Sequence, residues 1–469
     1  MDDDDEDLEV DEFGEQGSFN PYDIAKPIDL ARTSDFEGFD EAANDLAGKL
    51  PIVGKPNLIE KHVRMWLVQL SRCHRWDPEG YLAFSRNNNS WVSRSTTKET
   101  MRGKAQLTPQ GGLALNPLGY SSMAIGVIDA LEVDGFVEGR KGFIDRESGK
   151  SRNSRTKATD KLIDDYLKPY DLMTAVTKRH DKAPLVILKD KNKNPIHFKK
   201  TAKTRKMEDG IKAYNQLLRN TDISLPDSSS SGLYLDQQQV HRVFNNNTFK
   251  KGGRYTGTWW MMGCNRNQRK DITINREATV ELDYKAQHIY MLYGLKGVSY
   301  LEEYPKGDPY YDPYCLGDDC PHDRKIIKPS VLMGINATDG ILSAWQALKQ
   351  EQWREWHKAI KARKSAGLPV QDFEFFPYLD YINLMEWFEA RHPLLIDDLF
   401  SGIGTILMNI DSMVAEIIIN HLTSQNIPVL GVHDSFIVRE RDREVLQSIM
   451  ETAYEKAGVG LYQSPVEVK

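Results

Sequence analysis

The stretch "IPVLGVHDSFIV", residues 427–438, places a histidine and an aspartate inside an apolar run. The residues on both sides of the triplet His433, Asp434 and Ser435 are apolar and partly β-branched, which predicts two strands joined by a tight turn. Burying an ionised carboxylate without a partner costs several kcal/mol. We therefore expect Asp434 to face a cation.

A second carboxylate stands in "ITINREATVELDYKAQHIYMLYGLKG", residues 272–297. Residues 279–282 predict a strand that ends at Asp283, and the apolar spacing that follows predicts a helix. Two aspartates on adjacent strand ends can hold two Mg²⁺ ions roughly 3.5–4 Å apart, the arrangement used for phosphoryl transfer. We therefore predict that Asp283 and Asp434 are catalytic metal ligands, with Mg²⁺ as the cofactor and Mn²⁺ as the alternative ion. A divalent cation beside Asp434 would keep it ionised.

Between the two aspartates lies "RKIIKPSVLMGINATDGILSAWQAL", residues 324–348. Arg324 and Lys328 are four residues apart, hence on one face of a helix, and Asn336 lies two turns further along. Pro329 predicts that this helix starts or bends near Lys328 or Ser330. Two cations beside a metal pair would suit a nucleoside triphosphate, whereas the alternative is a pair of solvated surface charges.

Together these motifs resemble the polymerase superfamily that contains family A DNA polymerases and single-subunit, phage-type RNA polymerases. "ELDYKAQHI" is similar to the first palm motif of family A, Asp-Tyr-Ser-x-x-Glu, and "VHDSF" to the third palm motif in its RNA polymerase form. "RKIIKPSVLMGIN" is similar to the fingers motif, in which an Arg and a Lys four residues apart precede a Tyr-Gly pair. The resemblance covers residues 250–458.

The resemblance implies an α+β fold, with a polymerase-type antiparallel palm and a small helical fingers region, and residues 121–159 add the expectation of a separate N-terminal winged-helix domain. It implies nucleotide contacts at four positions, Arg324, Lys328, Asn336 and His288. Asn336 and Ala337 replace the family's Tyr-Gly pair, and His288 replaces the family A Glu that excludes a ribose 2′-hydroxyl. The choice between dNTP and NTP therefore stays open.

Two further positions carry alternatives. His433 is expected either to pack beneath the site as a structural histidine or, as the family implies, to contact the primer's 3′-terminal nucleotide. Asp411, on a helix predicted from about Thr405, would either orient a palm contact or serve as a cap or surface residue.

Upstream, "KKGGRYTGTWWMMGCNRNQRKDITIN", residues 250–275, interleaves basic and aromatic residues. Such a pattern suits a groove that follows a nucleic-acid backbone. We predict nucleic-acid contacts at Lys251, Arg254 and Arg269. The alternative is that the paired Trp259 and Trp260 belong to the core.

The N-terminal half contains a predicted amphipathic helix, residues 121–136, that ends at Gly135. The segment after it, residues 137–159, is basic and punctuated by Gly, Ser and Asn. This order looks like the recognition helix and wing of a winged-helix DNA-binding domain. The predicted DNA contacts are Arg140, Lys141, Arg152 and Arg155. The alternative is a charged surface hairpin on a structural helical domain.

Composition restricts the remaining possibilities. The chain has 469 residues, 40% hydrophobic and 28% charged, and a formal net charge of −7. Ten of its 68 acidic residues lie in residues 1–16, which leaves 58 against 61 basic residues in the rest. This acidic segment predicts disorder, serving as a solubilising extension or as a competitor for a basic groove. Four cysteines give no disulfide framework, and the Cys315–Cys320–His322 spacing matches no standard zinc module.

No apolar run approaches the roughly 20 residues that span a bilayer, and the N-terminus is acidic, so we expect a cytoplasmic protein. The predicted organisation is an acidic, largely disordered tail (1–50), a winged-helix-like domain (51–170), a helical connector and flexible linker (171–235), and a palm/fingers domain (236–469).

The predicted function is template-directed nucleotide addition by a DNA polymerase or primase-like polymerase, in replication of a phage, plasmid or other mobile element. The partners would be a DNA template with a primer or duplex site, and nucleoside triphosphates, without a membrane. The alternatives are a single-subunit DNA-directed RNA polymerase and a non-catalytic replication initiator or regulator.

Overall fold

The computed structural model describes residues 25–91, 116–144, 151–226, 228, 232–365, 369 and 374–469. The chain is an α+β protein whose strands pair mainly in antiparallel fashion. The acidic segment 1–16 lies outside the described residues. Among the helices that are described, none combines the length and the apolar character needed to cross a bilayer.

The strands, in chain order, are β1 (Lys26–Pro27), β2 (Arg32–Thr33), β3 (Leu82–Phe84), β4 (Val137–Arg140), β5 (Phe143–Ile144), β6 (Ser151–Arg152), β7 (Ser154–Ala158), β8 (Lys178–Arg179), β9 (Val186–Lys189), β10 (Pro195–Ile196), β11 (Ile223–Ser224), β12 (His241–Phe244), β13 (Gly252–Thr256), β14 (Thr273–Ile274), β15 (Glu277–Tyr284), β16 (Leu430–Val432), β17 (Ser435–Arg439) and β18 (Val466–Val468).

The helices are α1 (Gly38–Lys49), α2 (Pro56–Trp76), α3 (Met123–Val133), α4 (Asp160–Leu162, continued by a π-helical turn, Ile163–Leu167), α5 (Ala202–Arg219), α6 (Trp259–Met262), α7 (Arg266–Arg269), α8 (Gln287–Leu295), α9 (Tyr300–Glu303), α10 (Arg324–Asn336), α11 (Ile341–Ser365), α12 (Tyr378–Arg391), α13 (Gly404–Ser424) and α14 (Arg443–Lys456). Short 3-10 turns cover Asn88–Trp91, Pro393–Asp398, Glu440–Asp442 and Gly460–Tyr462.

The chain divides into two compact units, each built from three segments that alternate along the sequence. The first unit comprises Met1–Arg205, Leu225–His241 and Gly257–Arg269. The second comprises Lys206–Ser224, Arg242–Thr256 and Lys270–Lys469. The domain boundaries predicted from the sequence stay a prediction.

In the first unit, helices α1, α2 and α3 share one hydrophobic core with the strands β3 and β4. Trp66 on α2 is fully buried, donates from Nε1 to the carbonyl oxygen of Ala124 at 2.8 Å, and meets the Phe84 ring edge-on. Truncating such a side chain to alanine costs about 3–5 kcal/mol. The apolar spacing of α2 and α3 therefore accounts for the core of this unit.

A basic hairpin follows α3 in this unit. Strand β7 pairs antiparallel with both β3 and β4, and β5 pairs antiparallel with β6 beyond them. Arg140 faces Arg155 across the β4–β7 ladder, and Arg152 faces Phe143 across the β5–β6 ladder. The predicted basic residues thus lie on one continuous hairpin, with Arg140 and Lys141 exposed.

In the second unit the strands follow the order β11-β14-β15-β17-β16, with β18 also paired to β15. Strands β16 and β17 form the predicted hairpin around His433 and Asp434, and α8 is the helix predicted after Asp283. Strand β15 continues one residue beyond the predicted end, to Tyr284.

The predicted start of the helix near Lys328 or Ser330 is wrong. Helix α10 begins at Arg324 because the Asp323 side chain accepts hydrogen bonds from the backbone N–H groups of Lys325 and Ile326. Pro329 lies inside the helix.

Candidate active site

The two predicted metal ligands lie side by side at one end of the β15–β17 ladder. Asp283 on β15 pairs with Ser435 on β17, and the backbone N–H of Tyr284 donates to the carbonyl oxygen of Asp434 at 3.3 Å. Asp434 follows His433 in the tight turn between β16 and β17. The structure thus brings together two carboxylates that are remote in the sequence.

Alternation along β15 explains why Asp283 emerges on the polar face of the sheet. Leu282 and Tyr284 are each 1% exposed and point into the core, whereas Glu281 and Asp283 point to the opposite face. On that face the Ser435 hydroxyl donates to Oε1 of Glu281 at 2.6 Å. Register and pleat together fix where the carboxylate of Asp283 lies.

The negative charge of the Asp283 carboxylate is only partly compensated by nearby cations. Its Oδ1 atom is buried and accepts no hydrogen bond within the described residues, while Oδ2 lies 3.2 Å from Nζ of Lys469. Burial, followed by repulsion from Asp434, raises the pKa of Asp283 to about 6, although Lys469 and Lys328 oppose the shift. A buried, unpaired carboxylate oxygen beside a second carboxylate is an environment that favours a bound cation.

Asp283 and Asp434 fit Mg²⁺ in number as well as in chemistry. Within the part of the chain that the structure describes, no group of three or more His, Cys, Asp or Glu could hold a metal ion. Mg²⁺ typically binds through one or two carboxylates and completes its shell with waters and substrate phosphates, so two carboxylates suffice. The same finding leaves Cys315 and Cys320 without a zinc cluster among these residues.

Arg254 lies in a buried network beside the aspartates. Its Nε atom is 2.5 Å from Oδ2 of Asp411, and its Nη2 atom is 3.3 Å from Nε2 of His288. Burial raises the pKa of Asp411 to about 6, and repulsion from Asp434 adds to that shift while Arg254 opposes it. Burial and then Arg254 lower the pKa of His288 to about 4, so His288 is neutral at pH 7.

The β12–β13 hairpin that carries Arg254 is anchored to α13 by buried hydrogen bonds. Arg242, which is 1% exposed, donates from Nε to the carbonyl oxygen of Gly253 at 2.6 Å and pairs through Nη1 with Glu416 at 2.7 Å. Gly253 has φ 100°, and a Cβ there would stand 2.8 Å from Oγ of Ser412. Only glycine therefore lets the strand approach the helix so closely.

The two predicted nucleotide cations are not equivalent. Arg324 is held by Asp312, with Nε 2.6 Å from Oδ2, and lies over the Tyr314 ring at 5.3 Å. Lys328 has no ion-pair partner among the described residues and acts electrostatically on Asp283. Of the two, Lys328 is the cation whose charge acts on Asp283.

Asn336 ends α10 and contacts the start of α13. Its side chain is exposed and donates from Nδ2 to the carbonyl oxygen of Leu332 at 2.7 Å, within its own helix. A Cβ at Gly404 would stand 2.0 Å from Oδ1 of Asn336, so this contact requires a glycine. A nucleotide role for Asn336 stays a prediction.

Two alternatives left open by the sequence are decided by burial. Trp259 and Trp260 are 1% and 0% exposed and pack edge-on, so the alternative that they belong to the core is confirmed. His433 is exposed at the hairpin turn rather than packed beneath the site.

The predicted backbone contacts fall in different units. Lys251 and Arg254 belong to the second unit, and Arg269 belongs to the first, where its Nη1 donates to the carbonyl oxygen of Cys264 at 3.2 Å. Nucleic-acid contacts at these three positions stay predictions.

Lys469 and Asp312 are the charged neighbours of the site that the sequence did not single out. No local pattern marks either of them, because their positions depend on strand pairing and on the loop before α10.

Comparison with known proteins adds little to this geometry. No protein-family model matches the chain, and no curated protein matches it in sequence. Among solved structures, the chain is similar to the POL domain of Pol1 from M. smegmatis in complex with a DNA primer-template and dNTP. The identity is 11%, the TM-score is 0.31, and the alignment covers 86% of this chain and 68% of that chain. A likeness at this level supports no conclusion about function.

Proposed function

We propose that this chain is a template-directed nucleotidyltransferase, a DNA polymerase or primase-like polymerase, and that Asp283 and Asp434 are its catalytic carboxylates. The observation that supports this proposal most directly is that the β15–β17 ladder sets the backbones of the two residues next to each other, so that their carboxylates repel one another. The unpaired, buried Oδ1 atom of Asp283 adds to it.

Asp283 and Asp434 would hold Mg²⁺, which when bound lowers the pKa of an attacking 3′-hydroxyl and neutralises the charge that develops on the phosphates. The chain's own residues then supply position and charge, which account for most of the catalysis in phosphoryl transfer. Lys328 offers an ammonium on the side of the carboxylates. Arg254, fixed by Asp411, presents the rest of its guanidinium beside His288, where we place the primer or template strand.

The first unit would bind duplex DNA through the basic hairpin of β4 to β7. Helix α3 contains no Lys or Arg, and its Asp129 and Glu132 pair with Arg86 at 2.7 and 4.0 Å. The helix is therefore poorly suited to the negative potential of a major groove. The charges therefore support contacts between the hairpin and phosphates. They do not support readout of bases by the helix.

The decisive experiment offers primed and unprimed templates, with Mg²⁺ and either dNTPs or NTPs. Extension of a primer with dNTPs is expected for a DNA polymerase, and short products made from NTPs without a primer are expected for a primase. Asp283→Asn and Asp434→Asn should each reduce synthesis about 100- to 1,000-fold while leaving duplex binding unchanged, since removal of a preorganised charge-stabilising group typically costs 10²–10³ in rate.

Two results would redirect the proposal. Long transcripts from NTPs on a duplex template would favour the single-subunit RNA polymerase. DNA binding without incorporation under any condition would favour the non-catalytic initiator. In contrast, an Asp283→Asn variant with undiminished synthesis would refute the metal assignment.

A further inference from the structure

The ammonium of Lys469 lies on the carboxylate that we propose as a metal ligand. Its Nζ atom is 3.2 Å from Oδ2 of Asp283 and 3.5 Å from Oε1 of Glu281, and the Lys469 side chain is 23% exposed. We propose that Lys469 sets the affinity of the Asp283–Asp434 pair for divalent cations, because its ammonium occupies one oxygen of Asp283 and repels a cation that approaches the same carboxylate. This inference rests on the proposed function, since it takes the pair to be a metal site.

Strand pairing fixes the position of Lys469. Strand β18 pairs antiparallel with β15, with Glu467 opposite Asp283 and Val468 opposite Leu282. The backbone N–H of Lys469 then donates to the carbonyl oxygen of Glu281 at 2.9 Å. The side chain therefore starts from a backbone position that the ladder holds beside Asp283.

The surroundings allow the ammonium to move without losing every partner. A lysine side chain is a point charge on a flexible four-carbon stem, so Nζ can leave Asp283 by rotation alone. Glu281 stays within reach, and its carboxylate is held by the hydroxyl of Ser435. Lys469 would shift towards Glu281 as a divalent cation takes over Asp283.

The competition follows from the charge balance. Asp283 and Asp434 repel one another, and Lys469 is the largest favourable charge acting on Asp283. A divalent cation satisfies the same carboxylate more strongly but is repelled by the nearby lysine. Removing the positive charge at position 469 therefore strengthens metal binding.

Lys285 provides a matched control two residues beyond Asp283. Its Nζ atom is 3.2 Å from Oε1 of Glu467 and 4.8 Å from the centroid of the Tyr311 ring. Neutralising Lys285 removes the same unit of charge from the same region, but it removes no contact to Asp283.

The test measures Mn²⁺ binding to the full chain, without nucleotide or DNA, from the electron paramagnetic resonance signal of free Mn²⁺. Lys469→Met is expected to lower the Kd for Mn²⁺ about tenfold, which corresponds to an interaction of about 1.4 kcal/mol. Lys469→Arg should stay close to wild type, and Lys285→Met should change the Kd by less than about twofold, because the ammonium of Lys285 is paired with Glu467 and makes no contact to Asp283. Lys469→Gln serves as a second neutral variant should the methionine variant not fold.

The failures of the inference and of the proposed function are distinguishable. If Asp283→Asn abolishes Mn²⁺ binding but neither neutral variant of Lys469 tightens it, or Lys285→Met tightens it equally, the role of Lys469 is refuted and the metal pair stands. If Asp434→Asn removes no Mn²⁺ binding, either from wild type or from the Lys469 variants, the metal pair itself is refuted. The role of Lys469 is then refuted as well.

Discussion

Arg324 donates from Nε to Oδ2 of Asp312 at 2.6 Å, so its charge is already compensated before any nucleotide binds. Lys328, one turn further along α10, has no such partner among the described residues and lowers the pKa of Asp283 instead. The sequence suggested two equivalent cations on one helix face. The structure makes one of them a bound, half-exposed guanidinium and the other an available ammonium.

We therefore expect Lys328→Met to impair nucleotide addition more than Arg324→Met does. Loss of a hydrogen bond to a charged group costs about 1.5–3 kcal/mol, so kcat/KM for the nucleotide should fall about 10- to 150-fold in Lys328→Met. Arg324→Met should lower it less than about fivefold, since exposed ion pairs contribute about 0–1 kcal/mol. Steady-state kinetics on a primed template measure both variants, and equal losses would contradict the asymmetry.

The local elements of this site were predictable from sequence, whereas their pairing was not. Alternating apolar residues around Asp283 and on both sides of Asp434 mark strands, because a half-buried sheet demands a period of two. The register that sets Asp283 opposite Ser435 depends on tertiary packing, and no residue in either strand encodes it locally. The motif resemblance supplied that link.

The contacts that modify the site were beyond the reach of sequence patterns. Lys469 follows a three-residue strand too short to show a period, and Asp312 lies in an irregular loop. The basic and aromatic pattern around Trp259 suited either a nucleic-acid groove or the core, and the rings of Trp259 and Trp260 are buried. A tryptophan's partners depend on the whole fold, so composition alone could not decide between the core and a binding surface.

The raised pKa of Asp283 predicts a pH-dependent gain in stability for Asp283→Asn in the absence of divalent metal. The pKa is about 6 in the folded chain against an ordinary value of 3.8, so the folded state binds more protons between these values. Stability contributed by this group therefore falls as pH rises from about 4 to about 6. The variant lacks this loss and should exceed wild type by about 3 kcal/mol above pH 6, with little difference near pH 4.

Urea unfolding in EDTA at several pH values measures the difference between the two free energies of unfolding. Asp209→Asn, at an exposed residue of α5 paired with Lys212 at 3.3 Å, is the control and should follow wild type throughout. A difference that stays flat or shrinks as pH rises would show that Asp283 is not destabilised in its ionised form.

The basic hairpin should govern the salt dependence of duplex binding. Each cation that contacts a phosphate adds about 0.9 to the slope of log K against log salt concentration. Replacing both Arg140 and Lys141 with Gln should therefore reduce the slope by about two and weaken binding of all sequences alike. Lys168→Gln, which removes an exposed lysine paired with Asp164 at 2.6 Å, should leave the slope unchanged. Fluorescence anisotropy over a salt series measures these slopes. An unaltered slope in the double variant would show that the hairpin is not part of the DNA interface.

The backbone conformation at His433 makes it possible to test whether this residue serves a primer contact or only the turn. His433 is exposed and has φ 59°, a left-handed conformation that costs a side-chain-bearing residue about 1–2 kcal/mol relative to glycine. His433→Gly should therefore raise the free energy of unfolding by about 1 kcal/mol, less a part for the greater freedom of the unfolded chain. Asn426→Gly, at φ 57° on the exposed end of α13, is the matched control, with a smaller gain because asparagine tolerates this conformation well.

If His433 contacts the primer terminus, His433→Gly alone will raise KM for the primed template while gaining stability. A variant that gains stability and keeps its primer affinity would show that the histidine serves only the turn.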